Sequence, residues 1–270
     1  MAIRALLLLL LTDSAAALQA TASKGRAAKA LAKKRGLAVS VELAGDTLAD
    51  SDLELLSMQL RKSHAAALWT ASVTSVAAVA KEQASARGDF PGPCPVIYNG
   101  DAEHVSEAIA AGATAVVLDA AHAGSDAASA ADEVIWHVSS ADDVRAIVEA
   151  ASSSAGAFIA PSSADADAIR AALPEGSVSV CAINGMSAQN AEIPCGRALV
   201  SGGCNSLLVS NACVGDDEDV PYVQWAIAEL NSKQSAEFKI DGHTGAINGH
   251  FGGGPRPRPA GEMEWKRLAR

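Results

Sequence analysis

Residues 95–121 read PVIYNGDAEHVSEAIAAGATAVVLDAA: a β-branched run, a polar loop, an alanine-rich stretch, a tight AGAT turn and a second apolar run. Short apolar runs bounded by turn signals are the pattern of buried parallel strands, and the residues Ala102 to Ala111 between them have the length and composition of a helix. The unit is one βαβ step of a parallel barrel. Its polar loop begins at Asn99, directly after the first strand, at the end of a barrel strand where function sits.

Outward from this unit the same pattern recurs. Seven further apolar runs flank or follow polar loops: VSVEL (Val39–Leu43), AAALW (Ala65–Trp69), AVVL (Ala115–Leu118, the second strand of the quoted unit), EVIWHV (Glu133–Val138), AFIA (Ala157–Ala160), SVSVCA (Ser177–Ala182) and NSLLVS (Asn205–Ser210). With PVIY (Pro95–Tyr98) they make eight. Helical stretches are predicted at Leu53–Lys62, Ser75–Arg87, Ala102–Ala111, Ala141–Ala150, Ala164–Leu173 and Val220–Asn231, with start signals in SADD before Val144 and the acid pair at Asp216. Eight strands alternating with helices fit a trimmed (β/α)8 TIM barrel spanning 37–233 without remainder, and a doubly wound sheet is the main alternative.

The composition agrees with helices packed on a small-residue sheet. Of 270 residues, 49% are hydrophobic and only 4% aromatic, so the core is built from Ala, Val, Leu and Ile. No run after the N-terminal leucines is long enough to span a membrane. The five cysteines, Cys94, Cys181, Cys195, Cys204 and Cys213, contain no CxxC pair and read as inert thiols, with one disulfide among the last four as the alternative.

Residues 1–20 place Arg4 before a leucine run and small residues, the layout of a signal peptide; 21–36 are basic and alanine-rich without an acid, the composition of a transit peptide. In series they predict a bipartite address to a plastid, with secretion as the alternative. Residues 1–36 carry seven basic residues and one acid; the rest of the chain has 14 basic and 30 acidic residues, a net charge of −16. Such a surface repels phosphate backbones and gives nucleic-acid binding little support.

The run PVIYNGD with HVSEAIAAGATAVVLDAA resembles the third and fourth strand region of indole-3-glycerol-phosphate synthase, whose pattern is PVL-x-KDF followed by an EARAAGADAVLL-type turn. EVIWHVSSADDVRAIVEA, VSVCAINGM and GCNSLLVSNAC resemble that family's fifth, seventh and eighth strand regions, so the likeness covers roughly residues 37–231. It implies a phosphate-binding barrel and a ring-closing lyase needing a cationic acid and carboxylates. Carried over residue by residue, the strand-one glutamate is kept as Glu42, but its companion lysine is Ala44 and the strand-three lysine is Asn99. The strand-five glutamate is His137, the Asn-Asn-Arg turn is Pro161 to Ser163, and the glutamate and serine of the seventh strand are Ile183 and Asn184. The family's extra N-terminal helix has no evident counterpart.

Asparagine supplies no proton at neutral pH, and loss of one positioned acid or base costs about 10²- to 10⁴-fold. The resemblance therefore points to a degenerate member with Glu42, Asn99, His137 and Asn184 as vestigial or rebuilt site residues. Glu42 and His137 would both point into the barrel mouth and could pair; Asp119 and His122 invite a metal reading, but their spacing is not that of a ligand set. Phosphate, if bound, would meet Gly185, Gly202, Gly203, Ser210 and Asn211. No cofactor is implied.

The stretch 234–270 shifts to Gly, Pro and isolated large residues and ends in EMEWKRLAR. Its GGGPRPRP run is a linker by composition. Phe251, Trp265 and Leu268 are the candidate anchors for a protein partner. Two classes of function stay open: a non-catalytic scaffold or accessory subunit, and an active lyase or other phosphate-barrel enzyme with a rebuilt site.

Overall fold

The computed structural model describes residues 25–32, 37–43, 48–150, 157–160 and 166–232. A short helix α1 (Arg26–Leu31) precedes the first strand. The strands are β1 (Ala38–Leu43), β2 (Leu68–Thr70), β3 (Val96–Tyr98), β4 (Ala115–Asp119), β5 (Val134–His137), β6 (Ala157–Ala160), β7 (Val178–Asn184) and β8 (Ser206–Cys213). Between and after them lie α2 (Asp50–Lys62), α3 (Val73–Ser85), α4 (Val105–Ala110), α5 (Asp126–Ala130), α6 (Ala141–Ala150), α7 (Ala166–Ala172), α8 (Glu192–Ser201) and α9 (Asp219–Asn231). All eight strands pair in parallel with their chain neighbours, and β8 pairs with β1. The sheet is a closed (β/α)8 barrel.

Period-two alternation sorts the strand residues into an inner and an outer set. Trp69, Ile97, Val117, Ile135, Ile159, Val180 and Leu208 fall in one buried cluster, the barrel interior. Their sequence neighbours, such as Leu68, Tyr98, Val116, Trp136, Phe158, Cys181 and Val209, fall in the other, beneath the helices. Polar inner positions near the β1–β8 seam bond the backbone: Ser40 Oγ donates to Leu207 O at 3.1 Å and Ser206 Oγ to Ala38 O at 3.0 Å.

At the floor, the end where strands begin, the inner positions are Ala67, Ala115 and Ala157, small enough to admit the side chains of α1. Ala27 and Leu31 are fully buried there. Glu133, just ahead of β5, accepts from the amides of Ala27 at 2.9 Å and Ala28 at 2.5 Å, satisfying donors that a helix start leaves free. A Cβ on Gly25 would lie 2.2 Å from that carboxylate, so a larger residue there would push Glu133 off the helix start. Burying Leu31 contributes about 1.5–3 kcal/mol. The segment whose composition reads as an organellar address thus includes a piece of the folded barrel, and a helix does precede β1, at the floor.

The strands follow the sequence expectation within a few residues, as do six helices. Helix α6 is capped as the SADD signal predicts: Asp143 accepts from the Ser139 and Ser140 amides at 2.8 and 2.9 Å, while its own amide donates to Ser140 Oγ. For α9 the acid pair at Asp216 lies in the turn just ahead of the helix, and Asp219 in the first helical turn accepts from the amides of Gly215 and Asp216 through Oδ2. Helix α8 is hidden in sequence by Pro194 and Gly196. The proline lies in the first turn, where it is tolerated, and a Cβ on Gly196 would lie 2.8 Å from Leu230.

Candidate functional site

The inner positions at the C-terminal strand ends form the barrel mouth, and three side-chain pairs mark it. Asn99 Nδ2 donates to Glu42 Oε1 at 3.4 Å, His137 Nδ1 and Asp119 Oδ1 are 2.8 Å apart, and Asn211 Nδ2 donates to Asn184 Oδ1 at 2.7 Å. The expected pairing of Glu42 with His137 does not form. Glu42 stands on β1 and takes Asn99, which the Asn99 amide fixes by donating to Thr70 O at 2.8 Å. His137 stands on β5, directly in register with Asp119 of β4.

The phosphate-site expectation is divided by the structure. Gly202 and Gly203 lie at the floor end, where they close α8: their amides donate to Ala198 O and Val200 O, and Gly203 adopts φ +98°. Gly185, Ser210 and Asn211 lie at the mouth, but their groups are used within the fold. The Gly185 amide donates to Ser210 O at 2.7 Å, and Ser210 Oγ donates to Ile183 O. A Cβ on Gly185 would meet Ser210 O at 2.6 Å, so the glycine serves the close approach of β7 and β8.

The next amide, of Met186, donates to Tyr222 Oη at 2.9 Å. Tyr222 in turn donates to the buried Glu192 at 3.1 Å, and Ser187 also bonds Glu192. This network pins the loop after β7, where Met186, Gln189 and Asn190 all have positive φ. Sequence patterning missed it, because its members are a helix-start glutamate and a tyrosine on α9. Asn211 has φ +53° where the β1–β8 register shifts between Val41 and Leu43, a bulge at the barrel rim.

Electrostatically the mouth is one-sided. The sequences linking each strand to its following helix, 44–49, 71–72, 99–104, 120–125, 138–140, 161–165, 185–191 and 214–218, contain no Lys or Arg. They hold Asp46, Asp101, Glu103, Asp165, Asp216, Asp217 and Glu218, and the strand ends add Glu42 and Asp119. The three lysines among the described residues, Lys29, Lys62 and Lys81, lie on α1, α2 and α3. Among the described residues no group of three His, Cys, Asp or Glu side chains could hold a metal ion, and Asp119, considered with His122 as a metal ligand, bonds His137 instead.

Beside the mouth a cleft of about 380 Å³ opens between the loops after β2 and β3, lined by Ser72, Thr74, Tyr98, Asp101, His104 and Glu107. Burial raises the Tyr98 pKa above its usual value, followed by the charges of Asp101 and Glu107. Tyr98 Oη donates to Asp101 O at 3.2 Å. Ala44, Pro161 to Ser163, Phe251, Trp265 and Leu268 lie outside the described residues.

No family model and no curated protein matches the chain. Solved barrels do. The orotidine 5'-phosphate decarboxylase of Pyrococcus horikoshii OT3 superposes with a TM-score of 0.54 at 15% identity, over 71% of this chain and 99% of its own. A structure described as native KDPGal gives 0.55 at 12% identity, over 73% and 94%. The likeness is one of fold. It places the chain among (β/α)8 barrels and gives no sequence support to the indole-3-glycerol-phosphate synthase family in particular.

Proposed function

We propose that this chain is a barrel in which synthase chemistry has been given up, acting as a non-catalytic scaffold or accessory subunit of a plastid protein complex. The observation that carries the reading is Asn99. At the position where the resemblance calls for a lysine, an amide bonded to Glu42 stands, and the described loops at the mouth bring no Lys or Arg to replace it. An acid-rich rim disfavours a phosphorylated substrate, and the mouth amides of Gly185 and Met186 are already satisfied. In this reading residues 1–24 hold the targeting sequence, and the 234–270 tail with Phe251, Trp265 and Leu268 docks the partner. Native fractionation of source-cell plastids with mass spectrometry tests it: the chain belongs in a large complex, released when Gly252 to Arg270 are deleted. A free small species, or co-fractionation unchanged by the deletion, would overturn the subunit role.

A second reading rests on the Asp119–His137 pair. A carboxylate 2.8 Å from Nδ1 fixes the ring and its tautomer and leaves Nε2 to exchange a proton, the arrangement of a general base. The rim charge would select a neutral or cationic substrate.

A further inference from the structure

Among the described residues, Arg61, Lys81, Arg145, Arg170 and Arg197 each hold a carboxylate, whereas Arg26, Lys29, Lys62 and Arg87 make no ion pair. All four unpaired cations are exposed, and all four lie at the floor. Arg26 and Lys29 stand on α1. Lys62 ends α2 and Arg87 follows α3, and the helices of such a barrel run from the mouth down to the floor. The charges are therefore separated along the barrel axis, acids at the mouth and free cations at the floor.

Within that floor, the loop 86–95 between α3 and β3 carries Phe90 with 92% of its surface exposed. The loop is pinned on both sides of the ring. Arg61, a buried residue of α2 held by Glu82 at 2.9 Å, donates to Pro91 O at 2.5 Å and lies 3.4 Å from Asp89 Oδ2. Gln83 Oε1 accepts from the Cys94 amide at 2.6 Å, and Arg26 donates to Pro93 O at 3.4 Å. The rings of His64 and Phe90 meet edge to face with centroids 6.3 Å apart. A fixed loop thus holds an aromatic side chain in water beside unpaired cations, the composition of an interface anchor. The matching surface is at the other end of the same sector. The cleft of about 380 Å³ between the loops after β2 and β3 offers Ala71, Val73 and Tyr98 as apolar lining and Asp101 and Glu107 as exposed acids, with no Lys or Arg.

We propose that the chain associates head to tail, the Phe90 loop of one copy seated in the mouth cleft of a second copy. The phenyl ring packs against the apolar lining, and Lys62 and Arg87 face Asp101 and Glu107. The occupant is a second copy because knob and cleft, with opposite charges, are both carried by this chain. A contact between two different patches leaves one of each unused, so it extends along the barrel axis and does not stop at a two-fold dimer.

Sedimentation velocity of the full chain is the test. At about 0.1 M salt the mean sedimentation coefficient should rise with protein concentration, and at about 1 M, where the screening length is about 3 Å, the dissociation constant should weaken about tenfold or more. Two blocked variants separate the patches: Phe90→Ser removes the knob, and Asp101→Lys with Glu107→Lys reverses the charge of the cleft. These side chains are exposed, so both variants should melt like the parent. Each variant alone should be monomeric. Their equal mixture should give a species of two copies and nothing larger, since one intact knob meets one intact cleft. A parent chain that stays monomeric at low salt, association that persists in either variant alone, or a mixture that stays monomeric would overturn the proposal.

Discussion

Asp119 Oδ1 and His137 Nδ1 stand 2.8 Å apart on register partners at the ends of β4 and β5. The two side chains are 68% and 46% exposed, so their attraction is screened by solvent. Asp119→Ala should change stability in urea melts by less than about 1 kcal/mol. If the chain transfers protons, His137→Gln at unchanged stability should lower that rate by about 10²- to 10⁴-fold. A large loss of stability in either variant would make the pair structural.

Helix α1 closes the floor, so the folded barrel includes residues from Gly25 onward. A chain lacking residues 1–24 should unfold as cooperatively as the full chain. Removing residues 1–36 should lower the melting temperature sharply and expose apolar surface to a hydrophobic dye. Leu31→Ala, a milder version, should cost about 2–4 kcal/mol. Equal stability of the two truncations would show that the floor does not need the helix.

Gly185 is required by the approach of β7 to β8, with Ser210 O at 2.6 Å from any Cβ placed there. Gly185→Ala should cost on the order of 1–3 kcal/mol by pushing the strand ends apart. Urea melts and the amide exchange of Gly185 and Met186 measure it; a neutral substitution would contradict the packing described.

Asp219 is fully buried, and burial raises its carboxyl above the usual 3.8, against the amides of Gly215 and Asp216, which lower it. The folded chain holds this proton more tightly than the unfolded chain. The stability tied to protonated Asp219 is therefore present below about 3.8 and lost as pH rises through the raised folded value. Asp219→Asn keeps an oxygen for both amides and carries no charge, so its stability relative to the parent should be more favourable at neutral pH than in acid. A pH-independent difference in urea melts would contradict this.

The barrel was legible because each strand is a short apolar run set off by turns, and closing such a sheet needs only that periodicity. What sequence could not separate was composition from use. Arg26–Leu31 has the alanine and basic content of a targeting peptide, yet Ala27 and Leu31 fill the floor because Ala67, Ala115 and Ala157 leave room for them. At the mouth, Glu42, Asn99, His137 and Asn184 were found from their places at strand ends, but their partners depend on register. His137 faces Asp119 because β4 and β5 are neighbours, while Glu42 is on the far strand β1. Gly202 and Gly203 lie before β8 and so at the floor, a distinction of strand end that a glycine motif does not carry.

Under the proposed reading, in which Asn99 stands where the resemblance calls for a lysine, the mouth should not perform the ring closure that the motif likeness implies. The measurement is direct: incubation of the purified protein, with α1 intact, with the anilino-ribulose phosphate substrate of indole-3-glycerol-phosphate synthase, followed by its indole fluorescence. No product above the uncatalysed background is expected. Turnover at an ordinary enzymatic rate, on the order of 1 s⁻¹ or faster, would contradict it.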